Sequence, residues 1–357
     1  MKLVGIFRGF PGLGRVVSGI ELVREAAQCL HAEVRVFTYL QGYDYAAKVF
    51  GRTGLHNVLS PEDISSIGII PVSPSGEKII DEIEAFQPDC ILIDGEPLLL
   101  VTIKLRFPGT KIVALLNPFD VVNPANQLSS QLFFKDCYSK ADVAIVHGMW
   151  TVPQPLEFKN QFTSIKTILR ADIRALTLKP DRQRIACILG GGTVKAGNAL
   201  FQTTVKIAAT TLAFARARPD ALVDIYCGSE AIYTQVLQAE DCPRNVTVFK
   251  GLKSPEHMYA DAKLVIARAG RNTISELLHL KLPALLFATT CCIRGSEQQA
   301  NIDYAQLNSG GLVIGLPTHA KSHEVLSSIN QLLQIPTALA ESLDDSEADE
   351  LIARHFV

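Results

Sequence analysis

The chain has 357 residues, of which 48% are hydrophobic and 20% charged, with a formal net charge of −2. That length exceeds one ordinary domain and suits two, each with enough apolar side chains for a core of its own. A near-neutral total speaks against a nucleic-acid binder, no run approaches the roughly 18 uninterrupted apolar residues of a membrane span, and no secretory h-region follows Met1, so a cytoplasmic protein is expected.

Residues 3–8 read as a first strand, followed by the loop GFPGLGRVVSG. A helix comes next, with Val16, Ile20, Val23 and Ala27 at helical spacing, and then a second strand at 34–37. Strand, Gly-rich loop, helix and strand open a doubly wound α/β domain. Gly9, Gly12 and Gly14 lack the spacing of a dinucleotide fingerprint, and no acidic residue closely follows the second strand. Ile79, Ile80, Ile83 and Phe86 mark another helix. PDCILID is a strand with Asp94, Gly95, Glu96 and Pro97 at its carboxyl end, where open α/β sheets bind their ligands. Asp94 and Glu96 are therefore candidates for a general base; a capping aspartate and a solvated glutamate is the competing reading. The strand at 111–116 ends in Asn117-Pro118-Phe119-Asp120, and the one at 143–146 ends at His147, so Asp120 and His147 are alternative bases.

Residues 158–184 are basic and lose strong periodicity, and the interdomain linker is placed there, near 171–181. A second α/β unit opens with a strand at 185–189, then Gly190-Gly191-Gly192-Thr193, then a helix from about Asn198. Glycines at a helix N-terminus let the backbone approach a phosphate closely, although Lys195 is not in P-loop spacing. Strands at 222–227 and 246–249 follow, the latter running into Lys250-Gly251-Leu252.

The stretch at 264–288 reads as a buried strand, the turn Arg268-Ala269-Gly270-Arg271-Asn272, a helix and a second buried strand. Gly270 can take positive φ there, Thr273 or Asn272 can cap the helix, and Glu276 then sits in its first turn near the positive end of the macrodipole. A turn into a helix N-terminus is an anion site, and a carboxylate one turn in can accept both hydroxyls of a ribose. An ordinary capped βαβ unit is the competing reading. A last helical region at 322–333 precedes an acidic stretch at 341–350. The eight cysteines (Cys29, Cys90, Cys137, Cys187, Cys227, Cys242, Cys291 and Cys292) form no CxxC pair, so buried reduced thiols are expected rather than zinc ligands.

Arg268, Gly270, Thr273, Glu276, Leu282 and Pro283, followed by the block SEQQANIDYAQ with Glu297, Gln298, Gln299 and Asn301, resemble the nucleotide-sugar signature of glycosyltransferases with the two-domain B fold. The likeness is in particular to the family 28 group that includes the lipid II-forming N-acetylglucosaminyltransferase of peptidoglycan synthesis. It implies an α/β protein of two Rossmann-like domains facing a cleft. Residues 1–170 would bind the acceptor, 171–340 would bind the nucleotide sugar, and 341–357 would form a helix crossing back to the first domain. The implied reaction is inverting transfer of a sugar from a nucleoside diphosphate donor, UDP-linked in the family, with no metal and no cofactor.

In that reading Gly191, Gly192 and Thr193 face the diphosphate together with the turn of Arg268, Gly270, Asn272 and Thr273. Leu252 contacts the base, Glu276 the ribose, and Glu297, Gln298 and Gln299 the sugar side of the site. The first loop, with Gly12 and Gly14, resembles the family's acceptor and phosphate loop, but Arg15 stands where relatives carry histidine. An arginine essentially cannot act as a base. Arg15 would instead neutralise a diphosphate or an acidic acceptor, a surface arginine being the competing reading. The acceptor (small molecule, glycolipid or peptide), a peripheral membrane contact and the oligomeric state stay open. The rival functions are a nucleotide-sugar hydrolase, a sugar 2-epimerase and a non-catalytic nucleotide-sugar-binding subunit.

Overall fold

The structure is a computed structural model that describes residues 1–9, 12–59, 74–122, 128–190, 199–238, 242–251, 253–291, 294–336, 351 and 354–356. The chain divides into two compact units, one of Met1–Arg170 with Asp344–Val357 and one of Ala171–Leu343.

In the first unit β1 (Lys2–Phe7), α1 (Gly14–Leu30), β2 (Glu33–Thr38), α2 (Gln41–Val49), β3 (Leu55–Asn57), α3 (Pro74–Phe86), β4 (Cys90–Asp94), α4 (Pro97–Arg106), β5 (Lys111–Leu116), α5 (Pro118–Val121), α6 (Leu128–Tyr138), β6 (Val143–Gly148) and β7 (Gln161–Lys166) follow in order. The seven strands form one sheet in the order β3-β2-β1-β4-β5-β6-β7, and every pairing is parallel. A parallel sheet needs crossover helices on both faces, so its central strands are apolar without interruption. CILID and VAIVHG are buried at every position. Successive residues alternate between two cores. Ile6, Ile91, Ile93, Ala114 and Leu116 face one layer, and Phe7, Leu92, Val113 and Leu115 the other. Each such large aliphatic contributes about 1.5–3 kcal/mol through burial.

The strand β7 lies where the sequence shows no strong periodicity. The reason is its place at the sheet edge, where no residue is fully buried and the apolar alternation is weak. The C-terminal segment joins this unit: Leu351 and Phe356 pack in the layer of Leu3 and Phe7, while the ring nitrogens of His355 lie 3.1 Å from Thr163 Oγ1 and 3.2 Å from Gln161 Oε1 on β7.

The second unit contains α7 (Ala171–Arg174), β8 (Arg184–Ile188), α8 (Ala199–Ala217), β9 (Leu222–Cys227), α9 (Glu230–Gln238), β10 (Val246–Lys250), α10 (Pro255–Tyr259), β11 (Ala262–Arg268), α11 (Arg271–His279), β12 (Ala284–Phe287), α12 (Gly295–Asn308), β13 (Val313–Leu316) and α13 (Ser322–Leu333). Its six strands are also parallel, in the order β10-β9-β8-β11-β12-β13. In both units the strand order reverses beside the first strand, between β1 and β4 and between β8 and β11. Adjacent connections leave to opposite sides there, which opens a crevice at the carboxyl ends of those strands. Among the described residues no helix is long and apolar enough to cross a membrane.

Candidate functional site

At the switch point of the first unit the chain gathers charged groups. Arg8 follows β1, Asp94 ends β4, Gly95 and Glu96 come next, Arg15 lies in the first turn of α1, and Asp120 lies in α5 after β5. Arg15 joins the end of β4 to α5: its Nη1 donates to Asp94 Oδ1 and its Nη2 to Asp120 Oδ1 at 2.7 Å. Asp120 Oδ2 also accepts the Asn117 N–H at 2.8 Å, within a capping box whose other half is Phe119 N–H to Asn117 Oδ1 at 3.1 Å. A second set forms on Glu96, whose Oε1 accepts from Tyr39 Oη at 2.6 Å and from Arg8 Nε at 3.4 Å. Gly95 makes the packing feasible. Its φ is +87°, and a Cβ there would lie 2.6 Å from both Arg8 Cβ and Arg15 Cδ.

Burial alone would depress the Arg15 guanidinium, but Asp120 and Asp94 more than offset that and hold it well above the ordinary arginine value. Arg8 likewise rises against its burial, through Glu96 and then Tyr39. Burial and the Glu96 carboxylate push the Tyr39 hydroxyl well up, so it stays a donor.

This arrangement changes several expectations. Arg15 is engaged by two carboxylates inside the unit and is not a surface arginine. Asp94 and Glu96 turn to different partners. Asp94 is 1% exposed and is ion-paired with Arg15. Glu96 is buried as well, not solvated, and although it stands at the N-cap of α4 its side chain makes no cap hydrogen bond. His147 is fully buried, and its Nδ1 accepts the Ile168 N–H at 3.4 Å. Gly12 lies in the loop at φ +128°, and Gly14 begins α1. The sequence reading passed over Tyr39, and it passed over Arg8 although a signal was present. Arg8 ends an apolar strand in the same way that Asp94 does, and β1 pairs with β4.

In the second unit the corresponding edge holds Gly190 after β8 and Arg268 at the end of β11. Gly190 has φ +66°, and a Cβ there would lie 3.2 Å from Arg268 Nη2, so the guanidinium rests against bare backbone. Arg268 Nη1 donates to Thr204 Oγ1 at 3.4 Å. Burial, then the nearby Arg294 charge, bring the Arg268 guanidinium down to about 10, against a small opposing effect of Cys291. It therefore remains charged near neutral pH. Among the described residues it forms no ion pair with a carboxylate. A desolvated cation of this kind favours an anion.

The turn differs from expectation. Gly270 is itself the N-cap of α11, at φ −74° and ψ 138°, and no side chain caps the helix. The cause is backbone pairing: Gly270 N–H donates to Arg268 O at 2.8 Å, and Gly270 O accepts from Ile274 N–H at 3.0 Å. The helix thus starts at Arg271 and its first turn holds no acid. Glu276 falls in the second turn, and Asn272 Oδ1 accepts from Arg271 Nε at 3.2 Å instead of capping. No side chain caps the start of α11, and a helix N-terminus is the end that favours an anion. Glu276 is 6% exposed, and its Oε2 accepts from Tyr259 Oη at 2.8 Å.

Helix α12 is tied to the same edge. Asn301 Nδ2 donates to Ala269 O at 3.3 Å, Gln298 Oε1 accepts the Thr289 N–H at 2.8 Å, and Glu297 accepts from Arg294 Nη1 at 2.7 Å. Gln298 thus has its amide N–H groups to present rather than its carbonyl. Gln299, about 100° further round the helix, is exposed and donates to Asp303 at 2.8 Å, so the structure does not bring it to the side of Gln298. Gly191, Gly192, Thr193 and Leu252 lie outside the described residues. Beside Gly251 the sequence reading missed an aromatic group: Phe249 stacks on Tyr226 at 5.0 Å and 9°, with His257 edge-on at 4.9 Å. Among the described residues no group of three or more His, Cys, Asp or Glu side chains could hold a metal ion.

Residues 185–355 match the sequence profile of the glycosyltransferase family 28 C-terminal domain. No curated protein matches the chain. Among solved structures, MurG of Acinetobacter baumannii is similar at TM-score 0.56 and 15% identity, over 100% of this chain and 99% of that one. The UDP-GlcNAc 2-epimerase of Neisseria meningitidis bound to UDP-GlcNAc is similar at TM-score 0.65 and 13% identity, over 100% and 99%. The spinosyn rhamnosyltransferase SpnG complexed with thymidine diphosphate is similar at TM-score 0.59 and 15% identity, over 94% and 92%. The chain is thus a two-domain α/β protein with the B fold of glycosyltransferases, and its second half resembles the C-terminal domain of family 28.

Proposed function

We propose that this protein transfers a sugar from a nucleoside diphosphate sugar to an acceptor hydroxyl, with inversion at the anomeric carbon and without a resident metal. The second unit binds the donor and the first binds the acceptor. The observation that carries the reading is Arg268, a charged guanidinium without an ion-paired carboxylate among the described residues, set at a switch point beside bare backbone and the uncapped start of α11. Arg268 and the turn of Gly270, Asn272 and Thr273 face the diphosphate, as do Gly191, Gly192 and Thr193. Helix dipoles and backbone N–H groups stabilise the departing diphosphate, which removes the need for a cation. Glu276, oriented by Tyr259, takes the ribose hydroxyls, Gln298 donates to the sugar, and Leu252 contacts the base. UDP-linked donors fit the family 28 likeness. The structural neighbours support a nucleotide ligand, since one holds UDP-GlcNAc and another thymidine diphosphate.

A second reading, a nucleotide-sugar 2-epimerase, is favoured by the fold shared with the Neisseria enzyme. One experiment separates them. The purified chain is incubated in excess EDTA with UDP-N-acetylglucosamine, UDP-glucose or TDP-glucose, each with and without alcohols and alkyl glycosides, and the products are read by mass spectrometry and NMR. A transferase releases nucleoside diphosphate and forms a glycoside of inverted configuration. A hydrolase releases free sugar, and an epimerase forms an isomer without releasing nucleotide. Turnover that vanishes in EDTA and returns with manganese would reject the metal-free mechanism. If neither product nor nucleotide binding is found, the reading fails as a whole.

A further inference from the structure

At the edge of the first unit three carboxylates, Asp94, Glu96 and Asp120, surround two arginines, and we propose that Asp120 takes the proton from the acceptor hydroxyl, with Arg15 and Asp94 as positioning residues. The proposal rests on the transfer reading above and names the group that reading leaves open.

Access comes first, because a base must touch the hydroxyl it deprotonates. The Asp120 side chain is 17% exposed, that of Asp94 1% and that of Glu96 4%. Orientation comes second. Asn117 N–H at 2.8 Å on Oδ2 and Arg15 Nη2 at 2.7 Å on Oδ1 fix the carboxylate plane, so little freedom is lost when the acceptor binds. Sharing comes third: Arg15 is divided between Asp120 and Asp94 and holds both carboxylates at once. Arg15 cannot swing away, because Asp94 holds it and the backbone of Gly95 lies under its side chain. Arginine at this place thus does not replace a histidine base; it aims a carboxylate. Glu96 is occupied differently, since its Oε1 carries both Tyr39 and Arg8 in a buried position.

The step balances as follows. The acceptor O–H bond breaks and its proton passes to Asp120. The oxygen lone pair forms the new bond to the anomeric carbon. The bond from that carbon to the phosphate oxygen breaks, and nucleoside diphosphate leaves with the electron pair. The exposed edge of Asp120 returns the proton to water.

The test uses the full chain, the sugar nucleotide that the wild type turns over, and water or an alkyl glycoside against sodium azide as nucleophile. Azide carries no proton to remove. Asp120→Asn is expected to lower turnover with water or alcohol about 10²- to 10⁴-fold. Its affinity for UDP should stay near wild type, the acid limb of the pH–rate profile should disappear, and azide should restore turnover as glycosyl azide. A merely structural role would not be rescued by azide. Asp120→Glu, which keeps a carboxylate, carries the same comparison if the asparagine variant does not fold. Near-normal turnover in Asp120→Asn, absence of azide rescue, or azide rescue of Glu96→Gln instead would overturn the proposal while leaving the transfer reading intact. A folded wild type that turns over no sugar nucleotide would refute the transfer reading itself, and the assignment with it.

Discussion

Removing the Glu276 carboxylate separates two effects that share one side chain. In the free protein its Oε2 accepts from Tyr259 Oη at 2.8 Å, and Tyr259 is 1% exposed. Glu276→Ala takes that acceptor from a buried hydroxyl, so stability should fall by about 1–3 kcal/mol, read from the denaturant midpoint. The Tyr259 loss occurs in free and bound protein alike and cancels from the binding difference. What remains is the loss of hydrogen bonds from two ribose hydroxyls to a charged acceptor. Discounted for water that can enter the truncated site, this is about 2–3 kcal/mol, or roughly a 30- to 150-fold rise in the dissociation constant for UDP. Glu276→Gln keeps an acceptor for one hydroxyl and should cost roughly half as much. Tyr259→Phe leaves the carboxylate in place and should cost less than about tenfold, through lost orientation alone. Titration calorimetry on folded variants measures all three. A UDP affinity for Glu276→Ala within twofold of wild type would show that the carboxylate does not face the ribose.

Gly95→Ala combines a positive φ with a Cβ 2.6 Å from two arginine side chains, so it should destabilise the first unit by at least about 1–3 kcal/mol and lower its melting temperature by several degrees; an unchanged melting curve would contradict the packing at Arg8 and Arg15. Burial, aided by Arg354 and Lys111, holds His355 below its ordinary value, so the unfolded segment binds a proton before the folded one does. Its docking on β7 is therefore full above about pH 6.5 and lost as pH falls further, and amide exchange at residues 354–356 should quicken over that range; exchange that does not respond to pH, after correction for intrinsic rates, would be the contrary result. Burial pushes the thiols of Cys90, Cys187 and Cys227 up to about 12, so at pH 8 iodoacetamide should label the exposed Cys29 and Cys242 first and reach the buried three only on denaturation, as peptide mass mapping would show.

The sequence by itself determined the architecture and the strand-turn-helix at which donor binding is proposed. Strands such as CILID are apolar up to their terminal aspartate because both faces of a parallel sheet are covered, and that pattern needs no partner to be read. The helix, Arg268, Gly270 and Glu276 are legible as one strand-turn-helix because the local register of backbone and side chain lies within a dozen residues. Capping at the same turn was misread, because pairing of the Gly270 backbone with Arg268 and Ile274 set the start of α11 and left Asn272 and Thr273 without that task. Gln298 and Gln299 look alike in the chain, and only the placement of α12 against Thr289 gave one of them to the interior and the other to solvent. The strand β7 was hidden for a related reason, since an edge strand carries half an apolar pattern. The carboxylate proposed as the base depended most on tertiary structure. Arg8, Arg15, Tyr39, Asp94, Glu96 and Asp120 come from five separate segments that only the strand order β2-β1-β4-β5 brings to one edge. Which carboxylate is buried on an arginine and which keeps an exposed edge is decided by that convergence, because the charge and solvation of each group belong to its neighbours in space and not to its neighbours in the chain.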